Sequence, residues 1–365
     1  MKNLKETAER LKKASLLKEK IILYGDADLD GITSVIILKK TLERMGVESK
    51  EFFVDREKRG YGLSEKSIDM IKEESPALIV SLDCGISNFK GIEKANREGF
   101  EVIIVDHHTP LGKLPPASLI VCPKQEERVF TGYSNGGLAL KLSLEILEEE
   151  IPEFYELAAL SIVGDMMPQE GENETILKKA FSAFPQNEAL KVLGEILEAS
   201  SPKDLFDQSV SLLNVTEMIE GIPRSFTFLL SEEKESEKIA KELIEEREKR
   251  RKKTEKIEKD VERMYQGEEI VFLGKEDWSS YLLGKAASKL LTRYKKPIFL
   301  YKKGKEESRG TVRVPSSTNA IEAMKSCQDI LDDFGGHPPA AGFSLKNKNL
   351  EEFKKRLIDY FSCEK

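Results

Sequence analysis

Residues 20–122 alternate strand-like and helix-like segments, and this alternation is the strongest constraint that the sequence places on the fold. KIILYG (20–25), SKEFFV (49–54), ALIVSL (77–82), FEVIIV (100–105) and SLIVC (118–122) are the strand-like runs. ITSVIILKKTLERMG (32–46), SEKSIDMIKEE (64–74) and NFKGIEKANREG (88–99) are the helix-like segments between them. Apolar strands linked by helices imply an α/β fold, with a parallel sheet covered on both faces. Helical spacing continues in GGLALKLSLEILEEEI (136–151) and FYELAALSIVGD (154–165).

Residues 231–264 are dominated by charge, with Ile239, Leu243, Ile257 and Val261 as sparse apolar points. They read as a long exposed helix laced with i, i+4 ion pairs, in preference to a nucleic-acid contact through Arg247 to Lys253. EEIVFLG, KKPIFLYKKG and RGTVRVP then read as strands around the helix SSYLLGKAASKLLTRY. The predicted organisation is a catalytic domain over 1–230, a connecting helix over 231–266 and a smaller α/β domain over 267–365. A chain of 365 residues is long enough for two or three such cores.

The remaining totals narrow the class. No apolar run approaches the roughly 20 residues needed to cross a bilayer. The N-terminal MKNLKETAERLKKASLLKEK, with Leu4, Leu11, Leu16 and Leu17 as apolar points, reads as an amphipathic helix and not a signal peptide. A soluble cytoplasmic protein with no membrane partner is expected. Cys84, Cys122, Cys327 and Cys363 are scattered and form no CxxC pair, so reduced thiols are expected. The net charge of −7 argues against nucleic-acid binding by bulk basicity. Heavy Lys and Glu usage fits a hot environment.

In a parallel sheet, ligands bind beyond the carboxyl ends of the strands, and acids gather there. Asp26, Asp28 and Asp30 follow KIILYG, Asp83 follows ALIVSL, and Asp106-His107-His108 follows FEVIIV. Asp165 ends an apolar helix and is expected to reach the same place. Crowded carboxylates repel unless a cation neutralises them. Carboxylate with imidazole suits Mn²⁺ better than Ca²⁺, and lacks the thiolates of structural zinc. Two such ions would activate water for attack at phosphorus. The bland alternative for Asp30 or Asp83 alone is a helix N-cap. All three histidines of the chain, however, are His107, His108 and His337, in two motifs.

FGGHPPAAGFSL (334–345) joins a Gly-Gly turn to His337 and to small residues, with the AAG run able to open a phosphate-binding helix. A tight packed turn is the alternative. Arg309 and Arg313 in SRGTVRVP suit a phosphate or a terminal group, with surface charge as the alternative. Trp278 and Tyr281 are read as core.

Taken together, these motifs resemble the DHH phosphoesterase superfamily, and within it the RecJ-like nucleases with a C-terminal DHHA1 domain. The first motif is DxDxDG at Asp26 to Gly31, the second Asp83 in SLDCGIS, the third Asp106-His107-His108, and the fourth Asp165 in GDMMPQEGEN. GGHxxAAG is matched by residues 335–342. RGYGLS after Arg56, CPKQ at 122–125 and SNGGLALKL at 134–142 are similar to RecJ elements. The resemblance implies a parallel-sheet DHH domain joined by the long charged helix to the DHHA1 domain. It implies two Mn²⁺ ions, with Mg²⁺ as the alternative, held by Asp26, Asp28, Asp30, Asp83, His107 and Asp165, with Asp83 as bridge. Asp106 then orients the histidines, with a direct catalytic part as the alternative, and His108 faces the scissile phosphate. Arg313, Arg309, Gly335, Gly336 and His337 grip substrate across an interdomain cleft.

Short DHH-DHHA1 phosphoesterases carry a His where this chain has Tyr24, and Asp26 substitutes as in RecJ. Ending at residue 365, the sequence is expected to lack the OB-fold of long bacterial RecJ, and Glu174 stands where bacterial RecJ often has Arg. The expected function is a manganese-dependent exonuclease on single-stranded DNA, and on RNA, in repair or replication. The resemblance to archaeal RecJ-like proteins implies GINS or Hef as partner. A phosphoesterase of nanoRNA, dinucleotides or nucleotide bisphosphates is the first alternative. A non-catalytic replication-complex subunit is the second.

Overall fold

The computed structural model describes residues 1–54, 62–110, 112–126, 129–214 and 218–363. It divides into two compact units, Met1–Ile244 and Glu245–Lys365. In the first, strands β1 (Ile21–Gly25), β2 (Ser49–Phe53), β3 (Leu78–Leu82), β4 (Glu101–Val105) and β5 (Leu119–Val121) form one sheet in the order β2-β1-β3-β4-β5. Every pairing in it is parallel. The chain leaves β1 for β2 on one side and returns to β3 on the other, so the order reverses at β1. Such a reversal opens a crevice beyond the carboxyl ends of β1 and β3.

Strand residues alternate between two apolar cores because successive side chains point to opposite faces. Leu23, Val80 and Ile103 join one core, and Tyr24, Ile79 and Ile104 the other. The first core is closed by the helices Leu4–Leu16, Leu29–Arg44, Asn135–Leu147 and Pro152–Gly164. The second lies under Glu65–Ile71 and Phe89–Arg97. The N-terminal helix is amphipathic, but its buried face is Leu4, Thr7, Ala8, Leu11 and Ala14. Leu16 and Leu17 are exposed, contrary to the sequence expectation. The helical period carries the buried face from Leu11 to Ala14, which leaves Leu16 well off it. A two-residue hairpin, β6 (Met218–Ile219) with β7 (Ile222–Pro223), precedes the helix Arg224–Leu229.

The charged segment forms the helix Glu233–Met264, within which the division between the two units falls. It is laced with pairs such as Glu237–Lys241 and Arg251–Glu255. Its four expected apolar points are all buried, Ile239 and Leu243 in one core and Ile257 and Val261 in another.

The second unit carries β8 (Val271–Lys275), β9 (Ile298–Lys303), β10 (Glu307–Arg313), β11 (Asp333–His337) and β12 (Ala340–Lys346) in the order β11-β12-β10-β9-β8. The sheet is mixed, with β8 and β9 parallel and the rest antiparallel. Ser280–Tyr294 packs on one face of the sheet, with Val271, Ile298 and Leu300 in their common core. The other face carries Phe299, Val312, Phe343 and Leu345 against the helix Leu350–Cys363. The AAG run opens no helix, because it begins β12, where buried Ala341, Phe343 and Leu345 alternate with exposed or half-buried residues. That period of two selects a strand. Trp278 is buried and donates to Asp260 at 3.1 Å, whereas Tyr281 is half exposed and not core. No helix among the described residues is long and apolar enough to cross a membrane.

One ion pair fastens the first helix to the sheet. Arg10 donates to Glu101 at 2.7 and 3.0 Å and to Glu19 at 2.6 Å. The Arg10 contacts hold the Glu101 carboxyl below the ordinary glutamate value, against the opposing effect of burial. A carboxyl depressed in the folded state adds stability above its unfolded pKa, near 4.3, and loses it as pH falls through its folded value. Glu101→Gln should therefore lower stability at pH 7 by no more than about 1 kcal/mol, the site being partly solvated. Urea titrations should show the difference from wild type closing below about pH 4.

Candidate metal centre

Three acids stand one residue beyond three adjacent strands. Each still takes part in the ladder, for Asp26 N–H donates to Leu82 O at 3.2 Å, Asp83 N–H to Val105 O at 3.1 Å and Asp106 N–H to Val121 O at 3.0 Å. The sheet register thereby sets the three carboxylates side by side. All three are buried.

Asp28 and Asp30 come from the start of the Leu29–Arg44 helix. Asp28 is the N-cap and accepts from Gly31 N–H at 3.1 Å, so the capping role falls to it and not to Asp30. Asp30 sits in the first helical turn and is itself held by another helix. The N–H groups of Asn135 and Gly136 reach its oxygens at 2.9 and 2.8 Å, and Ser161 Oγ donates at 2.5 Å. A helix N-terminus offers such donors to a carboxylate. Gly136 permits the approach, since a Cβ there would lie 2.6 Å from Ser161 Cβ. The SNGGLALKL segment thus has a concrete task.

Asp83 caps no helix. Its backbone is left-handed, with φ 61°, a conformation uncommon outside glycine but tolerated by Asp and Asn. Its Oδ1 is buried with no hydrogen-bond partner. His107 Nε2 lies 3.3 Å from that atom, 3.5 Å from Asp30 Oδ2 and 3.6 Å from Asp165 Oδ2. His107 Nδ1 is 2.9 Å from the Tyr133 carbonyl, which can only accept, so Nδ1 carries the proton. Nε2 is therefore the ring nitrogen that faces the three carboxylate oxygens. Only a positive charge reconciles these groups.

The electrostatics agree. Burial pushes the Asp83 carboxyl well above the usual range, and the charges of Asp30, Asp28, Asp26 and Asp106 push it further. Asp165, the cap residue closing the Pro152–Gly164 helix, is raised to about 6 by burial and by Asp30. Burial also raises Asp30, against the charge of His107 and the donors from Ser161 and Asn135. Asp106 behaves differently. Burial would raise it, but His108 Nδ1 at 2.8 Å, His108 N–H at 3.0 Å and Ile86 N–H at 3.0 Å outweigh burial and hold it below the usual value. Burial would lower His108, yet the same Asp106 contact lifts it to about 9.

The donor atoms of Asp26, Asp28 and Asp83 lie within 4.8 Å of one another, as do those of Asp83, His107 and His108, and of Asp30, His107 and Asp165. Asp83 belongs to two of these groups and His107 to two. Buried Asp26, Asp30 and Asp83, half-buried Asp28 and the exposed Asp165, together with imidazole and one orphaned carboxylate oxygen, form a donor set that fits divalent cations.

In the second unit, the register places Arg309, Thr311 and Arg313 of β10 opposite Ser344, Gly342 and Ala340 of β12. Those in turn pair with Asp333, Gly335 and His337 of β11. Directly paired residues share a face, so Arg309, Arg313 and Gly335 do so, and Gly336 lies on the other. Arg313 donates to Thr311 Oγ1 at 2.9 Å, Val312 O at 2.8 Å and Ser288 Oγ at 3.2 Å, while burial lowers its pKa. Arg309 is instead engaged by Glu307 at 2.8 Å and exposed. A Cβ on Gly335 would meet nothing within 4 Å, and its φ is not left-handed. Neither packing nor backbone geometry requires glycine there.

Asn214 escaped sequence reasoning, while Asn173 and Cys122 lie in motifs that it quoted without assigning either a role. Asn214 accepts from Leu29 N–H and donates to Gly164 O, both at 3.2 Å, tying the segment after Asp28 to the one before Asp165. Asn173 donates to Gly132 O at 2.7 Å and Pro168 O at 2.8 Å, steadying the loop after Asp165 and the segment ahead of Tyr133. Cys122 of CPKQ donates to His108 O at 3.5 Å. Arg56 and residues 59–61 of RGYGLS lie outside the described residues.

The family described as "DHH family, N-terminal domain" matches residues 20–164, and "DHHA1 domain" matches 267–362. The single-stranded-DNA-specific exonuclease RecJ of Bacillus subtilis (strain 168) is 32% identical over 372 residues, 98% of this chain but only 47% of that protein. The chain spans about half the length of this curated relative. A crystal structure of exonuclease RecJ bound to manganese superposes with TM-score 0.86 at 27% identity, covering 99% of this chain and 95% of that one. The Mn²⁺ complex of RecJ from Thermus thermophilus gives 0.89 at 25% identity, covering 99% and 55%.

The raised carboxyls and His108 bind protons more tightly in the folded state, so metal-free stability should fall as pH rises between about 4 and 9. Asp106, held low, opposes this only below that window. In chelator, the melting temperature should be higher at pH 5.5 than at pH 8 by about 2 °C or more. Mn²⁺ at roughly 100 times its Kd should add about 2.7 kcal/mol at pH 8 and reverse the trend.

Proposed function

Because the chain belongs to the DHH-DHHA1 family and is RecJ-like in both matched domains, we propose that it is a Mn²⁺-dependent exonuclease releasing mononucleotides from single-stranded DNA, with RNA as a second substrate. The observation that carries this reading is the buried, unpartnered Asp83 Oδ1 facing His107 Nε2 within a ring of carboxylates. We assign Asp26, Asp28, Asp30, Asp83, His107 and Asp165 as ligands of two divalent cations, with Asp83 serving both. Bound there, the cations would neutralise the acids, activate water and offset charge on the phosphodiester.

The chain's own groups supply positioning. Asp106 fixes His108 through Nδ1, which leaves Nε2 as the ring nitrogen directed away from Asp106. The Asp106 contact favours the protonated form of His108, which suits it to a phosphate oxygen. Asn135, Gly136 and Ser161 hold Asp30 in place by donating to it. Arg313 has a guanidinium already ordered by Ser288 and Thr311, which lowers the entropy lost on gripping phosphate. Gly335 keeps the adjacent strand surface bare for close approach of a sugar-phosphate backbone. These contacts read charge and shape and carry no base sequence. The reading extends to repair or replication, with GINS or Hef as the partner, which co-purification tests.

The decisive experiment digests 5′- and 3′-labelled single-stranded DNA and RNA, and a dinucleotide, with Mn²⁺, comparing wild type with Asp83→Asn. Wild type should ladder the long strands from one end, and the variant should fall to background with its fold intact. Cleavage of the dinucleotide alone would move the protein to the small-substrate phosphoesterases. Equal activity of variant and wild type would refute the metal assignment.

On the second unit, Gly335→Ala should leave the melting temperature within about 1 °C of wild type, since its Cβ meets open space. Affinity for single-stranded DNA should nonetheless drop. Arg313→Ala should raise KM and flatten the salt dependence of binding, with a smaller change for Arg309→Ala.

A further inference from the structure

Met166 directly follows Asp165, and its placement is unusual on two counts. The Pro152–Gly164 helix ends with Met166 N–H donating to Val163 O at 3.3 Å and Met167 N–H to Ile162 O at 2.9 Å. This paired closure puts Met166 at the position where a left-handed backbone, usually glycine, is required. Met166 indeed has φ 55° and carries a long side chain there at a conformational cost. That side chain is also 90% exposed, the most of any large apolar residue among those described.

Its neighbours are anchored. Met167 packs against the main core of the first unit, and Asn173 clamps the Pro168 carbonyl. Asp165 on the other side places its carboxylate 3.6 Å from His107 Nε2. An anchored loop therefore carries an exposed thioether on the residue next to a carboxylate of the cluster.

We propose that Met166 is a substrate contact, its side chain lying against the nucleobase of the nucleotide whose phosphate enters the carboxylate cluster. The inference rests on the nuclease reading of that cluster. The occupant is argued from the site itself, since a nucleotide presents a flat apolar face next to its phosphate. Thioethers pack well on aromatic faces and adapt to any base, so the contact would strengthen binding without reading sequence.

The test combines a variant that relieves the backbone with a substrate that lacks the base. Met166→Gly should raise the melting temperature, because glycine suits the left-handed position. On single-stranded DNA it should raise KM roughly three- to tenfold with kcat retained, as expected for a contact present in ground and transition states alike. Met166→Leu should restore most of the loss. With an abasic residue at the terminal nucleotide, wild type should lose a similar factor and Met166→Gly should lose no more. An unchanged KM for Met166→Gly on base-containing strands would overturn the proposal, as would an equal loss on abasic and normal ends. Failure of wild type to cut any single strand would instead overturn the nuclease reading.

Discussion

Everything at the candidate centre depends on a hydrogen-bond ladder that runs one residue past the strands. Asp26, Asp83 and Asp106 are held by N–H groups donating to the neighbouring strand's last carbonyl. Strands in a parallel sheet lie about 4.8 Å apart, so this register forces three acids into near contact whatever their side chains would prefer. The apolar cores on both faces keep the strands from slipping. Repulsion among the acids is thus imposed by the fold and left for a bound cation to resolve.

The groups around the acids answer that repulsion unequally. Asp30 is relieved by a helix N-terminus and a serine hydroxyl, and Asp106 by His108 and the Ile86 N–H. Asp83 receives no such help at Oδ1. A division of labour follows, in which the well-donated acids act as rigid fixtures and the orphaned one is the most eager for a cation. His107 is fixed in the same spirit, because the Tyr133 carbonyl dictates which nitrogen faces the cluster.

Much of this was legible in the sequence. Apolar runs ending in acid identified β1, β3 and β4, and the mutual proximity of Asp26, Asp83 and His107 follows from strand order, whereas Asp165 arrives from a helix end. What escaped was contact between distant helices. Ser161 meets Asp30 across 131 residues, and Asn214 meets Leu29 across 185, with no periodicity to announce either. The AAG run misled because small residues suit a helix start and a strand equally, and the burial alternation of Ala341, Phe343 and Leu345 decides between them. Asp28, not Asp30, became the cap because capping goes to the residue where the backbone leaves helical geometry, which composition does not reveal.

The left-handed backbone at Asp83 has an evolutionary consequence. Asn and Gly occupy that conformation readily, and each is one nucleotide change from Asp. Either would also remove the most strained charge in the cluster. Under the proposed function, loss of chemistry and loss of fold are therefore decoupled at this position. A lineage that no longer needed the reaction could shed it in a single step and keep the architecture as a scaffold.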